Sequence, residues 1–152
     1  MVCMGNLCRS PIAQMVTLHL AGQVGMARNI EVDSAGTRAS PHKEPTDPRA
    51  NKVLAGRGYA LVKRKSRQVT ERDFRRYDLI LAMDQENLQD LMRICPADQT
   101  HRLRLFLEFA QGVGLHEVPD PYYGSIEGFE RVLDLCEAGA RGLLDHLHDS
   151  SA

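Results

Sequence analysis

In the opening run MVCMGNLCRSPIAQ, Cys3 is followed six positions later by Arg9 and then at once by Ser10. A thiol, a guanidinium and a hydroxyl crowded around Gly5 and Asn6 suit one task, which is to hold a phosphate group and attack it. Successive backbone N–H groups in a tight glycine-containing loop converge on an anion, and a helix starting just beyond adds the partial positive charge of its N-terminus. Arg9 offers two parallel donors to two oxyanion oxygens. The same field favours thiolate over thiol at Cys3 and readies it as a nucleophile. In this reading Gly5 permits the turn, Ser10 hydrogen-bonds the sulfur and Asn6 pins the loop from outside. A cysteine and an arginine fall six positions apart by chance in any arginine-rich chain. What favours chemistry is the company of Gly5, Asn6, Ser10 and Pro11 between a strand and a helix.

Attack on a phosphate ester also needs an acid, because a phenolate leaves poorly when its conjugate acid has a pKa of about 10. The stretch EVPDPYYGS offers Asp120, held between Pro119 and Pro121 and followed by Tyr122 and Tyr123. Alone, a proline-flanked aspartate is a turn residue; beside a cysteine-phosphate loop it becomes a candidate proton donor. Asp84, which closes YDLILAMD, either orients a loop or arginine group or caps the following helix.

These residues need elements to position them. The stretch from Asn29 into VDSAG, the apolar run YDLILAMD and RLRLFLEF are strand candidates, the second buried on both faces. Ile12, Met15, Val16 and Leu20 recur at helical spacing after Ser10 and Pro11, where serine can cap the first turn and proline suits its first position. Phe129, Val132, Leu133, Cys136, Ala140, Leu143, Leu144 and Leu147 make the apolar stripe of a long helix. RASPHKEPTDPR, rich in proline and charge, is a surface loop between them. Strands alternating with helices imply a parallel sheet covered on both sides, with ligands at the carboxyl ends of its strands. Cys3 sits at such an end.

The chain's 152 residues suit one compact domain, and 43% hydrophobic with 26% charged residues is ordinary globular composition. With 19 basic and 20 acidic residues intermixed, the net charge of -1 provides no global field for nucleic acid or an anionic membrane. No apolar stretch approaches the roughly 18 residues of a membrane span, and no secretion signal opens the chain, so a cytoplasmic setting is expected. The four cysteines are then expected to be reduced, and the six scattered histidines to form no metal site.

The sequence resembles the low molecular weight protein tyrosine phosphatases over essentially its whole length. VCMGNLCRSPIAQ is similar to the family's phosphate loop, VDSAGT to its second-strand motif, SRQVTERDFRRYDLILAMDQEN to its central block and DPYYG to its general-acid loop. The resemblance implies a three-layer α/β sandwich over residues 1–152, with a central, mostly parallel four-stranded sheet flanked by helices. The phosphate loop would run between strand 1 and helix 1. It implies Cys3 as nucleophile, Arg9 as phosphate clamp, Asp120 as acid and then base, and Ser10 as partner of the thiolate. Met4, Gly5, Asn6, Leu7 and Cys8 would line the substrate site, walled by Tyr122 and Tyr123, with Ser34 and Asp84 supporting. No cofactor or metal is implied. The partners would be phosphate or another oxyanion and phosphotyrosine proteins, a bacterial tyrosine kinase among them. Cys8 would capture an oxidised Cys3 as a disulfide, with a packing role as the alternative; Cys136 lies on the last helix's core stripe, and Cys95 is an incidental thiol.

Three features depart from the family pattern. Only Met1 and Val2 precede Cys3, so the first strand is expected to be short at its start. Ser40 stands where many relatives place a bulky aromatic of the substrate cleft. Arg64 stands near a loop-bracing histidine of animal relatives, so a different brace is expected. Rival readings are arsenate reduction, for which Cys95 has no nearby relay partner, and protein-arginine dephosphorylation, whose enzymes resemble a loop with threonine in place of Leu7. A non-catalytic phosphopeptide-binding module would need neither Cys3 nor Asp120.

Overall fold

The computed structural model describes residues 1–151; Ala152, the last residue of the expected domain, lies outside them. Four short strands, β1 (Val2–Cys3), β2 (Ala35–Gly36), β3 (Ile80–Ala82) and β4 (Leu103–Leu105), form one sheet in the order β2-β1-β3-β4. Every pairing is parallel, with Val2 opposite both Ala35 and Ala82, and Ile80 opposite Leu103. Parallel neighbours require long crossovers. Helices supply them: α1 (Arg9–Gln23), α2 (Pro48–Gly56), α3 (Glu71–Arg76), α4 (Gln85–Ile94) and the closing α5 (Ile126–Ser151). The chain leaves β1 toward one edge and later returns to the other side of it, so the switch point lies between β1 and β3. That is where such sheets open a crevice beyond their carboxyl ends.

The pleat sorts side chains to two cores. Val2, Ala35, Ile80, Ala82 and Leu105 meet Phe74 of α3 and Leu91 of α4 on one face. Cys3, Leu81 and Met83 face the other way, onto Ile12, Met15 and Val16 of α1 and the α5 stripe from Phe129 to Leu144. Helices thus cover both faces of the expected four-stranded sheet. Local signals set the helix starts. Asp47 Oδ1 accepts from Arg49 N at 2.8 Å with Pro48 in the first turn of α2, and Thr70 with Asp73 makes a capping box for α3. Among the described residues no helix is long and apolar enough to cross a membrane.

Three expectations change. The stretch from Asn29 is irregular until Ala35, where pairing with β1 begins. RLRLFLEF is a strand only to Leu105, and Phe106–Phe109 form a 3-10 turn. The reason is side-chain direction: Phe106 and Leu107 both enter the α1/α5 core, which an alternating strand cannot achieve. Helix α1 begins at Arg9, so Ser10 and Pro11 lie inside its first turn and no side chain caps it. The Ser10 hydroxyl is used elsewhere.

Helix α5 approaches that 3-10 turn at two glycines. A Cβ on Gly142 would lie 1.7 Å from the Phe109 carbonyl oxygen, and one on Gly139 would lie 2.7 Å from the Phe106 ring, whereas one on Gly128 would find ordinary contact at 3.6 Å. Alanine in a helix is ordinarily better than glycine by up to about 1 kcal/mol. Gly128→Ala should therefore be neutral or stabilising, while Gly142→Ala should destabilise by about 3 kcal/mol through overpacking. Denaturant midpoints of the two variants check the opposite signs.

Candidate active site

Residues 3 to 10 carry the chain from the end of β1 into α1 across the switch point. The loop's carbonyls are taken from outside: Thr37 N donates to Cys3 O at 2.9 Å, Arg38 N to Met4 O at 2.8 Å and Asp47 N to Leu7 O at 2.9 Å. By contrast, the N–H groups of Gly5, Asn6, Leu7 and Cys8 donate to no protein acceptor among the described residues. Such a loop leaves those donors available to an anion. Gly36 lets the second strand back it closely, since a Cβ there would meet Met4 O at 2.6 Å. The left-handed residue is Asn6, with φ 59°, and not Gly5. The turn expected of the glycine is thus made by its neighbour, the residue type that best tolerates this conformation after glycine.

Around Cys3, which is 3% exposed, the polar groups form one chain. Its Sγ lies 3.0 Å from Ser10 Oγ. Asn6 Nδ2 donates to Ser10 Oγ at 2.9 Å and to Ser34 Oγ at 3.0 Å, and Ser34 in turn donates to Gln14 Oε1 at 2.6 Å. Asn6 has filled both its N–H positions, so the Ser10 hydrogen is left for the sulfur, with Ala35 O the more distant acceptor at 3.4 Å.

Arg9 is buried, and its Nη1 donates to Asp84 Oδ2 at 2.6 Å and to Val118 O at 3.0 Å. Burial opposes its charge, but the Asp84 bond and the negative groups at Cys3 and Asp120 outweigh that, holding it above its ordinary value. Asp84 does both things expected of it, because its Oδ1 also accepts from Asn87 N at 2.7 Å as the cap of α4. Val118 is pinned through both backbone groups, its N–H donating to Met83 O at 2.8 Å. That brings the following turn over the site. Asp120, with a side chain 38% exposed, sets Oδ2 3.7 Å from Arg9 Nη2, while Oδ1 accepts from Tyr122 N at 3.1 Å.

The outer residues divide. Met4 is exposed and Leu7 half-buried. Tyr122 stacks edge-on with Tyr123, ring centroids 4.9 Å apart, and lies under the Arg49 guanidinium at 5.5 Å. Tyr123 is 92% exposed and projects into solvent. Ser40 is half-buried in a tight turn, accepting from His42 N at 3.2 Å. All four cysteines are free. Burial, with the negative groups at Asp47 and Cys3, pushes the Cys8 thiol up to about 12, so it stays protonated near neutrality; burial also raises Cys136, which packs against α1 as expected of a core residue. Among the described residues no group of three His, Cys, Asp or Glu side chains is disposed to hold a metal ion.

Several contributors lie within the quoted motifs but were not singled out by residue type or spacing. Gln14, Val118 through its backbone, and Gly36 act from three separate segments. Arg67 is a fourth: its N–H donates to Asn6 Oδ1 at 3.0 Å while its side chain grips Asp73 in a two-pronged pair at 3.0 and 2.9 Å. A cavity of about 350 Å³ is bordered by Asp84, Val118, Asp120 and Arg131, with no residue of the loop in its lining. A larger cavity, about 540 Å³, lies elsewhere, against Met1, Ile30, Asp33 and Leu79. The grouping of thiol, guanidinium and carboxylate at the loop, and not cavity size, marks the candidate site.

This arrangement can hold a tetrahedral oxyanion against a nucleophilic sulfur with an acid at hand. The family model for low molecular weight phosphotyrosine protein phosphatases matches residues 1–152. A low molecular weight protein-tyrosine-phosphatase of Streptomyces coelicolor is 40% identical over 146 residues, covering 94% of this chain and 88% of the relative. The human low molecular weight phosphotyrosine protein phosphatase is 34% identical over 153 residues, covering 97% and 93%. The crystal structure of a low molecular weight phosphotyrosine phosphatase from Vibrio cholerae superposes with a TM-score of 0.93 at 42% identity, covering 99% of this chain and 96% of that one. Matched in sequence from end to end and in fold at this level, the chain belongs to the low molecular weight phosphotyrosine protein phosphatase family.

Proposed function

We propose that residues 1–152 form one catalytic domain that hydrolyses phosphotyrosine in proteins, in two steps through Cys3. The sulfur attacks phosphorus, forming an S–P bond as the P–O bond to the phenol breaks, and Asp120 gives its proton to the departing oxygen. Water then attacks the cysteinyl-phosphate. Asp120 takes the water's proton, the S–P bond breaks, and phosphate leaves with thiolate and acid restored. Arg9 and the N–H groups of Gly5 to Cys8 hold the phosphoryl oxygens, Met4 and Tyr122 flank the ring, Tyr123 the rim, and Ser34 supports the loop through Asn6. The observation that carries the reading is the meeting of Cys3, Ser10, Arg9 and Asp120 at one loop, with Sγ 3.0 Å from Ser10 Oγ and Asp120 3.7 Å from Arg9. Phosphotyrosine proteins of the cytoplasm, a bacterial tyrosine kinase included, are the substrates in this proposal.

Hydrolysis of a phosphotyrosine peptide, measured against phosphoserine and phosphoarginine peptides, tests it. Tyrosine preference is expected; preference for phosphoarginine would overturn it. Asp120→Ala should cost about a hundredfold on the tyrosine peptide. The deficit should shrink for aryl phosphates with more acidic phenols, which leave without a proton. An equal deficit on all esters would remove Asp120 from the role of acid.

A further inference from the structure

Arg49, in the first turn of α2, grips the residue that caps its own helix. Its Nε donates to Asp47 Oδ1 at 3.1 Å and its Nη2 to Asp47 Oδ2 at 2.9 Å, a two-pronged pair on a carboxylate that is itself largely buried. Asp47 is fixed in turn, because its Oδ1 accepts from Arg49 N as the cap and its N–H donates to Leu7 O. A planar ion held along one edge keeps a set orientation, and its remaining surface is free for aromatic contact. The guanidinium carbon lies over two rings. It is 4.5 Å from the centroid of Phe129, fully buried near the start of α5, and 5.5 Å from that of Tyr122 in the acid loop.

The Tyr122 ring has little else to hold it. It is 42% exposed, and Tyr123, its edge-on neighbour, projects into solvent and anchors nothing. The backbone beneath the ring has its own supports: Tyr122 N donates to Asp120 Oδ1, and Gly124 N closes the turn on Pro121 O at 3.0 Å. Backbone and ring are therefore fixed separately, and Arg49 serves the ring. Through Asp47 it joins that ring to Leu7 of the phosphate loop. An aryl phosphate is rigid, with one span from phosphorus to ring, so an aromatic wall serves it only at a set place relative to the oxyanion site.

We propose that Arg49 is a positioning residue for the aromatic part of the substrate: it ties the Tyr122 ring to Asp47, and so to the phosphate loop, and favours aryl esters without touching the phosphoryl group. This rests on Tyr122 flanking the substrate ring, as in the hydrolytic reading. The test is calorimetric binding of two probes, benzylphosphonate, which carries a ring on a bond that is not hydrolysed, and methylphosphonate, which has the same charged group and no ring. The unaltered chain should prefer benzylphosphonate. Arg49→Met should raise its Kd about fivefold, the worth of an exposed contact between a cation and a ring. The Kd of methylphosphonate should stay within about twofold, which loss of a purely structural residue or of a general positive charge would not allow. Tyr122→Leu should raise the benzylphosphonate Kd about tenfold, and adding Arg49→Met to it should raise it no further, because the two side chains act as a unit. Arg49→Lys keeps a charge beside Asp47 and serves where the Met variant shows no cooperative thermal transition. An ammonium cannot hold both carboxylate oxygens in one plane, so the benzylphosphonate Kd should still rise about threefold. No preference for the ring in the unaltered chain, a native benzylphosphonate Kd in the folded Arg49 variants, equal losses on both probes, or losses that multiply in the double variant would each overturn the proposal. Binding needs no turnover, so failure of the hydrolytic reading would show separately, as an unaltered chain that leaves a phosphotyrosine peptide intact.

Discussion

Cys3→Ser should abolish turnover of a phosphotyrosine peptide, by a factor of about a thousand or more, while leaving the fold and oxyanion binding intact. The fold should survive because the side chain is buried against α1 and α5 and the replacement is nearly isosteric, with Ser10 still placed to hydrogen-bond a hydroxyl at the same point. Turnover should not survive, because a serine hydroxyl next to Ser10 has no base to take its proton and is a far weaker nucleophile than the sulfur it replaces. Binding is separable from attack. The N–H groups from Gly5 to Cys8 and the Arg9 guanidinium are untouched by the change, so phosphate should raise the melting temperature of the variant at least as much as that of the native chain. A ligand at a hundred times its Kd adds about 2.7 kcal/mol to stability. A variant that hydrolyses at the native rate would sink the mechanism; one that neither turns over nor responds to phosphate would show that Cys3 also shapes the loop.

How much of this was legible in the sequence depends on how local each cause is. Cys3, Asn6, Arg9 and Ser10 come together because they share one turn and the start of one helix, so their spacing alone groups them. Asp84 and Asp120 could be suspected because each sits at a chain reversal, Asp84 at the end of β3 and Asp120 between two prolines. Asn6 was assigned to bracing, but its backbone role was credited to Gly5, since glycine is the usual left-handed residue and only the packing against Gly36 and Arg67 selects the other. The Ser10 hydroxyl carried two readings, a helix cap, because serine there commonly bonds a backbone N–H, and a partner of the Cys3 sulfur. A sulfur 3.0 Å away and an amide donor from Asn6 outweigh that local preference.

The fold follows the same division. The apolar run at Ile80–Ala82 and the α5 stripe are periodic over their own length and were readable. The 3-10 turn at Phe106–Phe109 was not, because what bends it is the approach of Gly139 and Gly142 more than thirty residues later. Gln14 escaped for a related reason. It lies on a helix buried on nearly every side, so amphipathic spacing does not distinguish the face that supports Ser34.

Arg9→Lys should lower kcat by about a thousandfold, the upper range for loss of a preorganised donor to a developing anion. Both hydrogens of Nη1 are already used, one on Asp84 and one on the Val118 carbonyl, which anchors the guanidinium from behind. That leaves Nη2 and Nε, two parallel donors at a fixed spacing that match two oxygens of a phosphoryl group. An ammonium has three hydrogens and no such fork. It can satisfy Asp84 or reach the phosphate, but it cannot hold both while spanning two oxygens. The charge is kept, so ground-state attraction for the dianion should largely persist and KM should change far less than kcat. Asp120 should feel the change as well, since its position 3.7 Å from Nη2 depends on the same fork. Steady-state kinetics on a phosphotyrosine peptide check the split. If Arg9→Lys kept native kcat, Arg9 would be acting as a point charge, and the two-pronged clamp would have to be given up.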